Sequence, residues 1–264
     1  MSKSNAFHVT LRSSILTGLF VTLLLCTGSI AQAQDRGNPN WYTKVVPYFW
    51  LSNVDGKQVL GDFRLSVADS VLLPAVALRF ETGKGRLRGL VHLFRSHRKS
   101  TTTITGFSSP ADSTEANYAF TWITADLLGA VQIGPFSTAH AVELYAGGRF
   151  VRHEQNLEFT DNLTAAASTT ESWIDPVVGT RLYIELSRHF WTTISTDIAG
   201  FGVGSELTWS REGELGFRVT KFADLTIRYT HLQVQFANRD DGPDHYEWDE
   251  GAIQGWLIGA VLKL

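Results

Sequence analysis

Charged side chains recur at every second position within apolar segments, and they are the residues best placed to do chemistry in this 264-residue chain. In "WSREGELGFRV" (209–219), Glu212, Glu214 and Arg218 share one parity, while Trp209, Leu215 and Phe217 share the other. Extended to neighbouring segments, the same parity gathers Arg79, Arg88, Arg149, Arg181, Arg218 and Arg228 with Glu81, Asp126, Asp175, Glu185, Asp197, Glu212 and Glu214. Six arginines and seven carboxylates on one face are nearly neutral together. Such a set either interlocks as salt bridges or lines a small polar passage. Interlocking is the expectation, because isolated buried charge is costly and balanced partners relieve it.

Other motifs offer less. "GFGVGS" (200–205) has the glycines of a phosphate loop, but the following "ELTWSREGEL" alternates like a strand and supplies no helix N-terminus for an anion. "RDDGPDHYEWDEG" collects Asp240, Asp241, Asp244, His245, Glu247, Asp249 and Glu250, yet its spacing matches no EF-hand loop. Adjacent Ser96 and His97 fall on opposite faces of a strand, which prevents a nucleophile–base pair. His153 and His231 fall near the loop end, His231 with no neighbouring serine, and His92 fits the inward network. The sequence thus leads to no expected catalytic residue, metal site or cofactor.

The elements that position these residues have a period of two, the signature of strands. Strands are expected near 41–51, 70–81, 86–98, 117–133, 141–153, 172–186, 190–201, 206–219, 225–236 and 252–264. Connections alternate in length. "TGKG", "GPFSTAH", "SRH" and "TKFAD" are short, whereas 52–69, 99–116, 154–171 and 237–251 are long and polar; "GFGVG" breaks the pattern. Residues 1–33 carry Lys3, Arg12, the apolar run "ILTGLFVTLLLC" and a final "AQA", the order of a cleavable signal peptide. Cleavage after Ala33 would leave 34–264 as one domain with 21 basic and 26 acidic residues, a net charge of −5 and no cysteine. That composition excludes a disulfide framework and gives no reason to expect a nucleic-acid partner.

Short turns at one end, long loops at the other and ten alternating segments predict a transmembrane antiparallel up-and-down β-barrel, with eight strands as the alternative. The apolar parity then faces lipid and the charged parity faces the lumen. Aromatics on the apolar face sort to the two ends: Phe80, Phe190 and Phe217 near the turns, Phe49, Phe150 and Trp209 near the loops. Ten strands about 4.8 Å apart and tilted about 40° enclose a backbone radius of roughly 10 Å, so opposing Arg and Glu side chains would nearly meet.

"PYFWLSNVDG" (47–56), "WIDPVVGTRL" (173–182) and "GFGVGSELTW" (200–209), in this order, resemble a group of largely uncharacterised Gram-negative outer-membrane β-barrel proteins. The chain departs from the usual pattern in ending on Leu264 rather than Phe. The resemblance implies an outer-membrane location and no established activity. Expected partners are outer-membrane lipid, lipopolysaccharide and the barrel-assembly machinery, with the extracellular ligand unspecified. The expected role is structural or interaction-based. Narrow passive conduction of small solutes and rim-located hydrolysis are the alternatives.

Overall fold

The structure, a computed structural model, describes residues 41–60, 63–105, 113–133, 139–159, 166–238 and 245–264. The expected leader, its cleavage site after Ala33 and the acids Asp240, Asp241 and Asp244 lie outside these residues. Ten antiparallel strands form a closed barrel in up-and-down order: β1 (Tyr42–Leu60), β2 (Phe63–Lys84), β3 (Leu87–Thr105), β4 (Ser113–Ile133), β5 (His140–Phe159), β6 (Ala166–Glu185), β7 (Phe190–Ala199), β8 (Leu207–Arg218), β9 (Ala223–Ala237) and β10 (Tyr246–Lys263). Closure comes from β1 pairing with β10, as in Lys44 opposite Lys263 and Val54 opposite Ile253. With both edges consumed, the sheet presents no unpaired row of backbone donors and acceptors along that seam. Ten strands, not eight, make the wall.

Alternation sets the two faces as expected. In β2, Val76, Leu78 and Phe80 point outward and Ala75, Ala77 and Glu81 are buried inside. In β5, Val142, Leu144 and Phe150 are outward, while Glu143, Tyr145 and Arg149 are buried. Every strand contributes apolar side chains to the outer surface. Phe49 is 77% exposed, Leu127 69%, Ile174 63% and Ile258 59%.

The wall is taller than the sequence reading allowed. Segments 52–60, 99–105, 154–159 and 246–251 were expected as loops, but they continue β1, β3, β5 and β10. For example, Lys99 pairs with Ala119 and Thr103 with Glu115. Threonine-rich composition looks like a loop, but β-branched Thr suits a pleated wall. On the other side the wall is low, because β7 pairs with β6 only over Val177–Glu185. There the 200–206 hairpin turns early, with positive φ at Gly200, Phe201 and Gly202.

Candidate functional site: a filled lumen

The lumen has two zones. In the half nearer the tight turns, arginines and carboxylates interlock in successive tiers. Nearest the turns, Arg218 pairs with Glu185 and donates to the Tyr183 hydroxyl, while Lys263 Nζ lies 2.9 Å from Asp224. One tier up, Arg181 bridges Glu143 at 2.7 Å and Glu81 at 2.9 Å, with Arg88 Nε at 3.7 Å from Glu143. In the next tier, Glu214 accepts from Arg79 (2.9 Å), Arg228 (3.0 Å), the Tyr48 hydroxyl (2.8 Å) and the Thr226 hydroxyl (2.7 Å). Arg228 also reaches Glu212 at 3.2 Å. Finally, Arg149 spans Asp126 at 2.9 Å and Asp197 at 3.2 Å.

Two of these pairs decide the shape of the lumen. Arg181 (β6) and Glu81 (β2) are separated by three intervening strands along one wall, as are Arg79 (β2) and Glu214 (β8). They meet across the barrel. At a separation of 2.9 Å in both, no continuous water path passes between the partners.

The half nearer the loops is filled by aromatic side chains. Trp122 of β4 meets Trp248 of β10 edge to face, with ring centroids 5.0 Å apart. His153 lies between Phe120 (4.9 Å), Tyr246 (5.3 Å) and Trp248 (5.5 Å), and Trp173 stacks on Phe236 at 4.0 Å. Above them Gln155 donates to Gln58 and to the Tyr118 hydroxyl. Trp122, Trp248, His153 and Tyr246 have no measurable exposure. Edge-to-face and offset ring contacts suit such a plug, because each ring's positive edge meets another's negative face.

Inward glycines let these large side chains cross neighbouring strands. A Cβ on Gly179 would come within 2.5 Å of the Tyr145 ring, and one on Gly216 within 2.0 Å of the Trp191 ring. Across these slots Tyr145 reaches Asp197 at 3.2 Å, and Trp191 donates to Asp224 at 3.0 Å. The segments "WIDPVVGTRL" and "GFGVGSELTW" also meet in space. Asp175 accepts from the Ser205 backbone N–H at 2.7 Å, the Ser205 hydroxyl at 2.8 Å and the Trp173 indole at 3.0 Å. The glycine-rich hairpin is thus tied to β6 by a carboxylate. It holds no phosphate-loop geometry, because β8 and not a helix follows it.

The thirteen charged residues singled out from sequence all point into the lumen. Twelve enter ion pairs with one another or with Glu143, and Asp175 instead serves the hairpin. Two acids of the lattice were missed, Glu143 and Asp224. Glu143 has the parity of Arg149 and was open to detection; Asp224 sat in a segment assigned to the turn. One pairing differs from expectation. A "TKFAD" turn centred near residue 222 predicts Arg228 opposite Gly216, with Glu214 flanked by Arg218 and Arg228, but in the barrel Glu214 faces Arg228 directly and Arg218 faces Asp224. The turn closes two residues tighter, with the N–H groups of Val219 and Thr220 both donating to the Ala223 carbonyl. Ser96 is buried inside whereas His97 is exposed outside, where it hydrogen-bonds Thr121 at 2.9 Å. Among the described residues no group of three or more His, Cys, Asp or Glu is arranged to hold a metal ion.

No family model and no curated protein sequence matches the chain. Among solved structures it is similar to the translocator domain of autotransporter NalP from Neisseria meningitidis, at 11% identity and TM-score 0.42, covering 99% of this chain and 98% of that one. The attachment invasion locus protein Ail of Yersinia pestis, solved with the heparin analogue sucrose octasulfate, gives 8% identity and TM-score 0.39 over 85% of this chain and 99% of that one. An anion-selective porin from Comamonas acidovorans gives 10% identity and TM-score 0.32 over 85% and 97%. At these values the likenesses carry no functional argument, and the architecture rests on the chain's own strand pairing.

Proposed function

We propose that the protein is an integral outer-membrane β-barrel whose lumen is closed, and that it acts structurally or by contact through its loop end and outer wall. Its membrane placement is supported by the apolar side chains that all ten strands turn outward, a surface far larger than a water-soluble monomer exposes. A closed barrel also satisfies its backbone hydrogen bonds internally, one of the two ways a chain can cross a bilayer. The closed lumen is carried by one observation: ion pairs and tryptophan contacts span the barrel in both halves.

Two measurements test these parts separately. Purified protein in planar bilayers is expected to show no steady ohmic conductance, and Trp122→Ala/Trp248→Ala should stay closed as well, because it opens only the loop-side half and leaves the cross-lumen pairs Arg79–Glu214 and Arg181–Glu81 in place. Steady conductance by the wild type would establish the narrow-channel alternative. For placement, Leu182 faces outward between Val142 and Ile194. Leu182→Arg is expected to cost about 2–4 kcal/mol of barrel stability in lipid if it lies near the midplane, and Leu182→Ala much less. Equal denaturation midpoints for Leu182→Arg and wild type would contradict a lipid-facing wall.

A further inference from the structure

The outer wall of β3–β5 changes character along a single row of paired residues. Leu93, Ala125 and Phe150 form the last apolar row, with Leu93 opposite Ala125 and Ala125 opposite Phe150. In the next row Arg95 and Arg152 flank Ile123, and above it stand His97, Thr121 and Glu154, then Lys99, Ala119 and Asn156. Arg95, Lys99 and Arg152 are exposed. The central strand offers only Ile123, Thr121 and Ala119 along this stretch, so the surface is a shallow trough with Arg95 and Lys99 on the β3 bank and Arg152, Glu154 and, one row above Asn156, exposed Glu158 on the β5 bank. Two strand spacings separate Arg95 from Arg152, or about 10 Å between backbones. Arg152 holds Glu154 through Nη2 at 2.6 Å and Nε at 2.8 Å, so the net positive charge of these rows comes from Arg95 and Lys99, with Nη1 of Arg152 left as a further donor.

We propose that this trough binds the phosphorylated headgroup of an outer-leaflet glycolipid, lipopolysaccharide. The proposal rests on the membrane placement above and not on whether the lumen is closed. The apolar row places lipid immediately below the trough, so an occupant arriving from the side is a membrane lipid with its acyl chains against Leu93 and Phe150. Its headgroup then lies at the height of two guanidiniums and one ammonium. The guanidinium of Arg95 can bind phosphate bidentately, Arg152 adds the donors of its remaining Nη1, and Lys99 adds a compact point charge higher on the bank of Arg95. The small residues between the banks leave room for a saccharide ring, which hydroxyl and amide groups of Thr121 and Asn156 suit.

The test uses the full barrel in neutral detergent, titrated with bisphosphorylated rough lipopolysaccharide, with the same material after phosphatase treatment, and with phosphatidylglycerol. Wild type should bind the bisphosphorylated form at least tenfold more tightly than either control. Arg95→Gln/Lys99→Gln/Arg152→Gln should lose at least tenfold affinity for that form, and raising the salt concentration should shrink the difference. Equal binding by wild type and the triple variant would overturn the proposal. So would equal binding of the dephosphorylated form or of phosphatidylglycerol, either of which marks a generic lipid surface. If the triple variant lacks the heat-sensitive gel mobility of a folded barrel, Lys99→Glu alone takes its place, with a loss of affinity again expected and unchanged affinity overturning the idea. Failure of the membrane placement itself would show differently, as protein that stays soluble and monodisperse without detergent.

Discussion

Replacing Arg149 with methionine is expected to lower the free energy of unfolding by about 3–5 kcal/mol, the range for breaking a buried ion pair from one side. Arg149 is the sole cation in contact with both Asp126 and Asp197 in the described ion pairs, and its side chain is only 5% exposed. Its removal leaves two carboxylates facing the gap. Asp197 keeps hydroxyl donors in Ser210 at 2.6 Å and Tyr145 at 3.2 Å, whereas among the described residues Asp126 keeps only His92, at 3.9 Å. The greater part of the loss should therefore come from Asp126. Arg149→Met/Asp126→Asn should recover more stability than Arg149→Met/Asp197→Asn, measured as urea unfolding in lipid vesicles followed by tryptophan fluorescence. A loss below about 1 kcal/mol would mean that water hydrates both carboxylates and that the tier is open.

The faces of this barrel were legible in the sequence and the partners within it largely were not. Parity explains both. A register error of two residues at the 219–223 turn leaves every side chain on its correct face, so Glu214 and Arg228 were correctly turned inward while being offset from one another. Which residues meet across the lumen depends on the shear of the closed sheet, which no local pattern encodes. Arg149 shows this well. Its row neighbours are Asp126 and Asp175, yet it bonds Asp197 two strands away, while Asp175 is committed to Ser205.

The aromatic plug was partly within reach. Tyr118, Phe120 and Trp122 share the parity of Asp126, and Trp173 shares that of Asp175, so continuing the charged face toward the loops would have placed them inside. The girdle expectation covers only aromatics of the apolar face, such as Phe80 and Phe150, and says nothing of these inward rings. Trp248 was out of reach by this route, since a register irregularity between Trp248 and Gly251 breaks the alternation along β10. The long loops were misjudged because polar, Ser/Thr-rich composition is common to loops and to a barrel wall standing clear of lipid.

Removing Glu214 should be as damaging as removing Arg149, and its two arginines report on different properties of the lumen. Glu214→Leu takes away the carboxylate shared by Arg79 and Arg228, together with the acceptor for Tyr48 and Thr226. The side chain of Glu214 is 1% exposed and that of Arg228 2%, so a loss of about 3–5 kcal/mol is expected. Double-mutant cycles then separate the partners. Glu214 and Arg228 sit opposite one another on adjacent strands, and their geometry is imposed by the backbone ladder. Glu214 and Arg79 meet only because side chains from β8 and β2 extend across the lumen. In a dry, filled interior both cycles, with glutamine at 214 and methionine at 79 or 228, should show coupling of about 1–3 kcal/mol. In a water-filled interior the adjacent-strand pair would retain its coupling, while the cross-lumen pair would be screened and its single-variant effects would add. Additivity for Arg79 with Glu214, beside clear coupling for Arg228 with Glu214, would therefore overturn the closed lumen without disturbing the barrel or its register.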